Sequence, residues 1–375
     1  MRYQVASFTN RGTKQKPSWQ YTVSRMVNGK SSPIRKGGFK TKKEAQIAAA
    51  EIETKLKDGD IVSNKKIEFV DFFSQWVGVY KKNISKNTRT RYQDTLNTIK
   101  KHFEGIYIQD ITKRSYQSFI NSYGDNRAKE TTRKLNTHIR ACVRDAIDEG
   151  VLKTDFTRNV VIIGNVAAKK PEEKHIDYED SKKLLDELHN RLDRGLGYYL
   201  LLLGLTSGMR FAEMVGLTRS DFNFKTNEIN IDKTWGYTKK MPEGFGPTKN
   251  DQSIRKIKMD QRTMSAFQKL FETTPTNIHK LVFFSPSSKY KVISNAAANK
   301  NLNKVLTDLK IDPISVHGLR HTHASILLYQ KVSIYYVSER LGHSDIQTTT
   351  KYYAHIVKEL RLRDELSTVK IFEAM

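Results

Sequence analysis

Four short patterns in the C-terminal half of this sequence combine side chains that hold anions and move protons. The first, Thr206-Ser207-Gly208-Met209-Arg210-Phe211-Ala212-Glu213, places an arginine directly after an apolar helical stretch. Buried arginines are rare unless paired, so Arg210 should face an internal acid or an external anion. Glu213, one helical turn on, is the default partner, or could orient a neighbouring histidine. The second, His317-Gly318-Leu319-Arg320-His321-Thr322-His323, sets His317 and Arg320 on one helix face. An arginine fork matches two phosphate oxygens, and a histidine adds a donor or a proton-transfer group. The same stretch offers His317 and His321, four apart, to a metal, with His323 or His343 as a third ligand. Against that, no nearby carboxylate or cysteine completes the set, and Arg320 would repel a cation. The other reading of His321 and His323 is that they pack against the site and orient it.

The third pattern is Leu341-Gly342-His343-Ser344-Asp345, followed by Tyr353-Ala354-His355. The fourth is Pro247-Thr248-Lys249-Asn250, in a Gly/Pro-rich turn between two strand-like segments. One tyrosine among 17, or one lysine on a turn, means little by itself. In order, however, Arg, Lys, His-x-x-Arg, Leu-Gly-His and Tyr-x-His resemble the tyrosine recombinase (phage integrase) family. The resemblance covers the whole chain and is nearest to integrases of temperate phages and of conjugative transposons of Gram-positive bacteria.

That resemblance implies a catalytic set of Arg210, Lys249, His317, Arg320, His343 and Tyr353. Arg210 and Arg320 would clamp the scissile phosphate, and Lys249 would protonate the leaving 5′-hydroxyl. His317 would be an acid/base and phosphate ligand, His343 a further phosphate donor, and Glu213 a support. Tyr353 would attack to form a 3′-phosphotyrosine bond, with adjacent Tyr352 as the alternative that Ala354-His355 disfavours. The physics is consistent with these roles: a donor preorganised on a transition-state oxygen contributes roughly 3–4 kcal/mol. A tyrosine of pKa about 10 needs a cationic or basic neighbourhood to release its proton. The implied chemistry uses no cofactor and no metal, and the sequence has neither a Walker-type loop nor an acid cluster for magnesium.

Three groups of elements must position these residues, which makes the expected fold class α+β, mainly α-helical and multidomain. Residues 1–60 read as a small sheet with one helix: Trp19, Tyr21 and Val23 alternate, Asn28-Gly29 signals a hairpin, and Thr41 with Glu44 has capping-box spacing. Residues 66–165 read as four amphipathic helices. They are marked by Phe69 to Tyr80, by Tyr92 to Phe103 after caps at Ser85 or Thr88, by Tyr116 to Tyr123 after Thr112, and by Leu135 to Ile147 ending at Gly150. Asp58–Lys66 and Val160–Lys174 read as linkers. Residues 172–375 are mixed, with helical patterns at Leu184–Leu192, Gly197–Leu205 and Phe211–Leu217 and strand-like stretches at Glu228–Trp235, Ser253–Met259 and Leu281–Phe284. By resemblance these are an arm-type DNA-binding domain, a helical core-type DNA-binding domain and a mixed α/β catalytic domain.

Composition bounds the partners. Lys and Arg number 65 against 40 Asp and Glu, a net charge of +25 that suits binding to polyanions. Residues 1–66 are the densest, with 15 basic and 5 acidic side chains. One cysteine, Cys142, excludes an internal disulfide and cysteine-based zinc sites. The longest apolar run, Tyr198–Leu205, is too short for a bilayer and reads as a buried helix, so a soluble, cytoplasmic protein with no membrane partner is expected. The resemblance further implies double-stranded DNA attachment sites as substrate, a homo-tetramer on two duplexes, and an excisionase or host DNA-bending protein as helper. The other function classes are a chromosome-dimer resolvase, a type IB topoisomerase and a DNA-binding regulator without catalysis. An extra basic N-terminal unit speaks against the first, a requirement for defined paired sites would argue against the second, and the complete residue set speaks against the third.

Overall fold

Among the described residues, six elements of helix or strand precede the first helix of the helical segment. The structure is a computed structural model that describes residues 6–13, 15–27, 30–57, 66–167, 175–352, 365, 369–370 and 372–373. By its contacts the chain divides into Met1–Ala167 and Ala168–Met375. In the first unit, β1 (Ser7–Asn10), β2 (Trp19–Val23) and β5 (Ile34–Phe39) form an antiparallel sheet with β2 central. Tyr21 and Val23 face inward against Ala49 and Leu56 of α1 (Lys42–Lys57). Thr41 Oγ1 accepts from the Glu44 amide, while the Glu44 carboxylate reaches back to the amide of Lys40, one residue earlier than in a capping box. Short strands β3 (Met26–Val27) and β4 (Lys30–Ser31) pair on either side of Asn28-Gly29, which lies outside the described residues, as do residues 58–65 of the expected first linker.

Residues 66–167 carry α2 (Phe69–Tyr80), α3 (Lys86–Phe103), α4 (Lys113–Gly124) and α5 (Lys129–Asp148). The caps are those the sequence signals: Ser85 accepts from Thr88 N, and Thr112 from Ser115 N. Phe69, Phe73, Ile99, Tyr116, Ile120, Ile139 and Val143 meet in one core. The expected second linker needs correction in its first half. Val160 and Ile162 pack on that core, Gln117 exchanges two hydrogen bonds with Val161, and Ile163 closes on Gly124. A run of apolar β-branched residues here buries itself against the helices instead of spanning space. Residues 168–174 lie outside the described residues.

In the second unit, α6 (Tyr178–Asn190), α10 (Asn295–Asp308) and α11 (Val316–Tyr329) pack around α7 (Leu196–Ser207). Helix α7 is apolar all round, so it is buried on every side. It is followed by α8 (Phe211–Val215), an antiparallel sheet ordered β10 (Arg255–Lys258), β7 (Glu228–Ile231), β6 (Phe222–Asn223), and a hairpin of β8 (Lys233–Trp235) with β9 (Phe245–Pro247). Helices α9 (Gln261–Thr273), α12 (Ile334–Leu341) and α13 (Ile346–Tyr352) complete it. Two strand expectations differ. Glu228–Trp235 divides after Ile231, its two parts pairing in different sheets. Leu281–Phe284 makes only single bridges, because the Asn277 carboxamide takes both main-chain groups of Leu281. Among the described residues no helix is long and apolar enough to cross a membrane.

One residue of this frame decides where the Arg210 loop goes. Gly208 ends α7 in the left-handed region at φ 67°, and a Cβ there would meet the His323 ring at 2.6 Å. The Gly208→Ala variant should therefore lose at least about 2 kcal/mol of unfolding free energy. Urea unfolding checks this, and a loss well under half that figure contradicts the close approach.

Candidate functional site

Two chain segments converge on one buried carboxylate. Arg210 is the N-cap of α8, and Glu213, on the first turn, reaches back to accept from the Arg210 amide at 3.0 Å and from Arg210 Nη1 at 2.7 Å. Glu213 is 1 % exposed and also accepts from Arg255 Nη2 at 3.1 Å. Burial by itself raises the Glu213 carboxyl, but Arg255, Arg210 and Arg320 outweigh it and hold it below the usual range. Glu213 thus holds Arg210 as the sequence suggests, and a second arginine as well.

Arg210 is further fixed by Nη1 donating to Ser253 Oγ at 3.0 Å and Nη2 to the Gly342 carbonyl at 2.8 Å. Its side chain remains 23 % exposed, enough to meet a ligand. Arg320 is 4 % exposed, on the second turn of α11, and its Nη1 donates to the Gly208 carbonyl at 2.8 Å. The Arg210 loop is therefore tied to helix α11 through Arg320 and to Gly342, next to His343.

His343 Nδ1 lies 2.7 Å from the hydroxyl of Thr349, a fully buried residue of α13. Burial, then Arg320 and Arg210, push its pKa down to about 3, so the ring is neutral at physiological pH. His317 opens to solvent near the start of α11 yet is also pushed down, by desolvation first and then by Arg320 and Arg210. Arg210 and Arg320 thus act on both His317 and His343.

Lys249 is exposed, between β9 and a short turn at Asp251–Ser253. Its chain neighbour Asn250 accepts from Ser253 Oγ, the same hydroxyl that Arg210 grips, so the base of the lysine loop is anchored to the arginine. Tyr353 lies outside the described residues; it follows directly on Tyr352, the last residue of α13.

The two histidines read as orienting residues divide. His321 packs edge-on against His317 with ring centres 4.9 Å apart. His323 is buried, with Nδ1 on the Leu205 carbonyl at 2.9 Å and Nε2 accepting from Arg340 Nε at 3.0 Å. With both nitrogens engaged it has no lone pair for a metal, and no group of three or more metal-ligating side chains occurs among the described residues.

Two residues were missed, Arg255 and Arg340. Arg255 donates to the Arg340 carbonyl at 2.6 Å and to the Ser253 carbonyl at 2.8 Å as well as to Glu213. The signal was present: period two in β10 puts Arg255 on the face of buried Ile257, and Arg340 follows buried Val337 by three on α12.

Comparison with known proteins gives a consistent picture. The profile of the phage integrase family matches residues 174–359, that of its N-terminal SAM-like domain residues 68–123, and that of an arm DNA-binding domain residues 7–56. Among relatives, a protein called tyrosine recombinase XerC-like from Caldanaerobacter subterraneus is 25 % identical, over 90 % of this chain and 91 % of its own length. The probable integrase of prophage ps2 from Lactococcus lactis is 25 % identical, over 86 % and 88 %. Of solved structures, the Tn1549 transposon integrase in complex with a circular intermediate DNA superposes with a TM-score of 0.64 at 15 % identity, covering 78 % of this chain and 98 % of that one. A lambda integrase tetramer bound to a Holliday junction gives 0.56 at 13 % identity, covering 92 % and 94 %.

The buried ring of His323 has a measurable consequence. Histidines in the unfolded chain protonate near pH 6.5, whereas His323 is pushed down to about 3, by burial first and then by Arg340. Its contribution to stability is complete above the unfolded value and is lost as the pH falls through the interval towards 3. From pH 7.5 to 5 this amounts to about 2 kcal/mol. Urea unfolding followed through Trp235, in a Trp19→Phe, Trp76→Phe background, should show at least that loss, to which neutral His343 adds, and His323→Gln should reduce it. Equal pH slopes in both proteins would contradict a neutral buried ring.

Proposed function

The chain belongs to the phage integrase family, the tyrosine site-specific recombinases, and from that premise we propose how it cuts and rejoins DNA to integrate and excise a phage or related mobile element. The observation that carries the reading is electrostatic. Arg255, Arg210 and Arg320 all act on the single carboxylate of Glu213, and Arg340 lies close enough to act on Arg255. One acid amid four guanidiniums leaves an excess of fixed positive charge, which matches a phosphodiester whose non-bridging oxygens gain charge during attack.

In this reading Arg210 and Arg320 grip those oxygens, already oriented by Glu213, Ser253, Gly342 and Gly208 before DNA arrives. His343, kept neutral, donates one ring N–H to the same phosphate, and His317 serves as acid/base and ligand from the solvent side. Tyr353 attacks phosphorus, the 5′-oxygen leaves with a proton from Lys249, and a 3′-phosphotyrosine bond stores the energy for rejoining. Lys249 suits that role because it stands on an exposed loop whose base is anchored to Arg210. The cationic surroundings favour the tyrosinate that attack requires.

The domain assignment follows: residues 1–60 bind arm-type DNA sites, 66–165 bind core-type sites, and 172–375 carry the chemistry. Four copies act on two duplexes in the host cytoplasm, with an excisionase or host DNA-bending protein setting direction. The match to an arm DNA-binding domain favours an integrase over a chromosome-dimer resolvase. Residues after Ile356 dock on a neighbouring subunit.

Two experiments test this. The protein, mixed with nicked duplex spanning the element's joined ends in EDTA and then denatured, should run as a covalent adduct. The adduct should vanish in Tyr353→Phe and persist in Tyr352→Phe; the reverse pattern moves the nucleophile, and no adduct from the unaltered protein refutes the reading. A chain ending at Ile356 should still bind DNA while recombination falls at least about tenfold, and full recombination by it would overturn subunit docking.

A further inference from the structure

Arg340 has no place among the roles above, yet it is 9 % exposed and its hydrogen-bond partners among the described residues are neutral. Its Nε donates to His323 Nε2 at 3.0 Å, Nη1 to the Lys258 carbonyl at 2.9 Å and Nη2 to the Thr206 carbonyl at 3.2 Å, where Met259 sulfur also lies at 3.8 Å. These acceptors belong to α11, the end of β10 and the last turn of α7. A single planar guanidinium therefore staples α12 to three other elements. Its own carbonyl accepts from Arg255, which is bound to Glu213. Two residues further on, Gly342 turns left-handed at φ 67°, gives its carbonyl to Arg210, and launches His343.

A buried cation bonded only by neutral acceptors is an expensive way to hold a helix, since burial of an unpaired charge is unfavourable. An apolar side chain would avoid that cost but leave His323 Nε2 and the Lys258 and Thr206 carbonyls without this donor, so what the arginine supplies is the joining of three elements at one point. We propose that Arg340 is a positioning residue for strand cleavage: it fixes the Gly342 turn so that the Gly342 carbonyl aims Arg210 and His343 faces the same phosphate. The inference rests on the recombinase reading of the site. Its effect runs through His343 and Arg210, neither of which it touches by side chain, and an error of about 1 Å in such donors lowers a rate on the order of 100-fold. Lysine retains the charge but reaches one acceptor instead of three.

The test compares unaltered protein, Arg340→Lys, His343→Asn and the double variant in single-turnover adduct formation on the nicked junction duplex, at saturating protein. Arg340→Lys should lower the rate about 100-fold while its affinity for the duplex stays within about threefold. In the double variant the losses should fall short of multiplying, because part of the Arg340→Lys effect runs through His343, which is already altered. A rate for Arg340→Lys close to the unaltered protein, an equal loss in affinity, or losses that multiply would each overturn the proposal. No adduct from unaltered protein would instead refute the recombinase reading itself. Thermal unfolding by circular dichroism establishes that each variant folds. If Arg340→Lys does not, His323→Leu takes its place: it removes one of the three anchors, should slow cleavage about tenfold with affinity preserved, and must likewise fail to multiply with His343→Asn.

Discussion

The buried carboxylate of Glu213 is the constraint on which the site depends. Arg210 and Arg255 approach it from two chain segments that would otherwise repel each other. Removing one partner of such a buried cluster leaves uncompensated charge, a loss of order 3–5 kcal/mol. Glu213 therefore does two things at once. It permits two arginines to be buried side by side, and, being a single acid, it leaves positive charge unneutralised. A second acid would stabilise the folded chain further and weaken the site's attraction for an anion.

Much of the architecture was legible because it rests on local rules. Ser85 and Thr112 cap the helices they precede, Phe69, Phe73 and Trp76 mark the buried stripe of α2, and the all-apolar Tyr198–Leu205 is a buried helix. The failures are those where a particular side-chain partner decides. Val160–Ala167 has linker-like flanks, but Gln117 and the α4 core give its backbone and its apolar side chains somewhere to go. Leu281–Phe284 has strand-like residues, yet Asn277 takes the hydrogen bonds a neighbouring strand would need. Period and propensity describe what a segment can do; which option wins is set by the side chain that takes its hydrogen bonds, 44 positions away for Val161 and four for Leu281.

The candidate site divides the same way. Motif order singled out Arg210, Lys249, His317, Arg320 and His343 as a set, and four of these share one electrostatic neighbourhood, with the base of the Lys249 loop tied to it. Arg255 and Arg340 escaped notice because a sequence rich in arginine and lysine hides a few buried ones among many solvated ones. Side-chain parity in β10 and helical spacing in α12 do point inward at those two positions. That signal is faint beside a net charge of +25.

What remains is how a cluster of cations can be rigid without being neutralised. Arg320 donates to the carbonyl of Gly208, and Arg210 to that of Gly342. Both glycines end helices, α7 and α12, in the left-handed region, where main-chain carbonyls are left without intrahelical donors. Such carbonyls carry only the partial negative charge of a helix terminus. They orient a guanidinium and satisfy part of its hydrogen bonding, yet cancel little of its charge. Each clamp arginine is thus fixed by the end of a helix from elsewhere in the chain. Carboxylates at those two places would hold the arginines as firmly and leave them far less attractive to a phosphate. The pair of left-handed glycines is therefore a requirement of the electrostatics as much as of the backbone, since only a chain that turns this sharply presents its carbonyls at so close an approach.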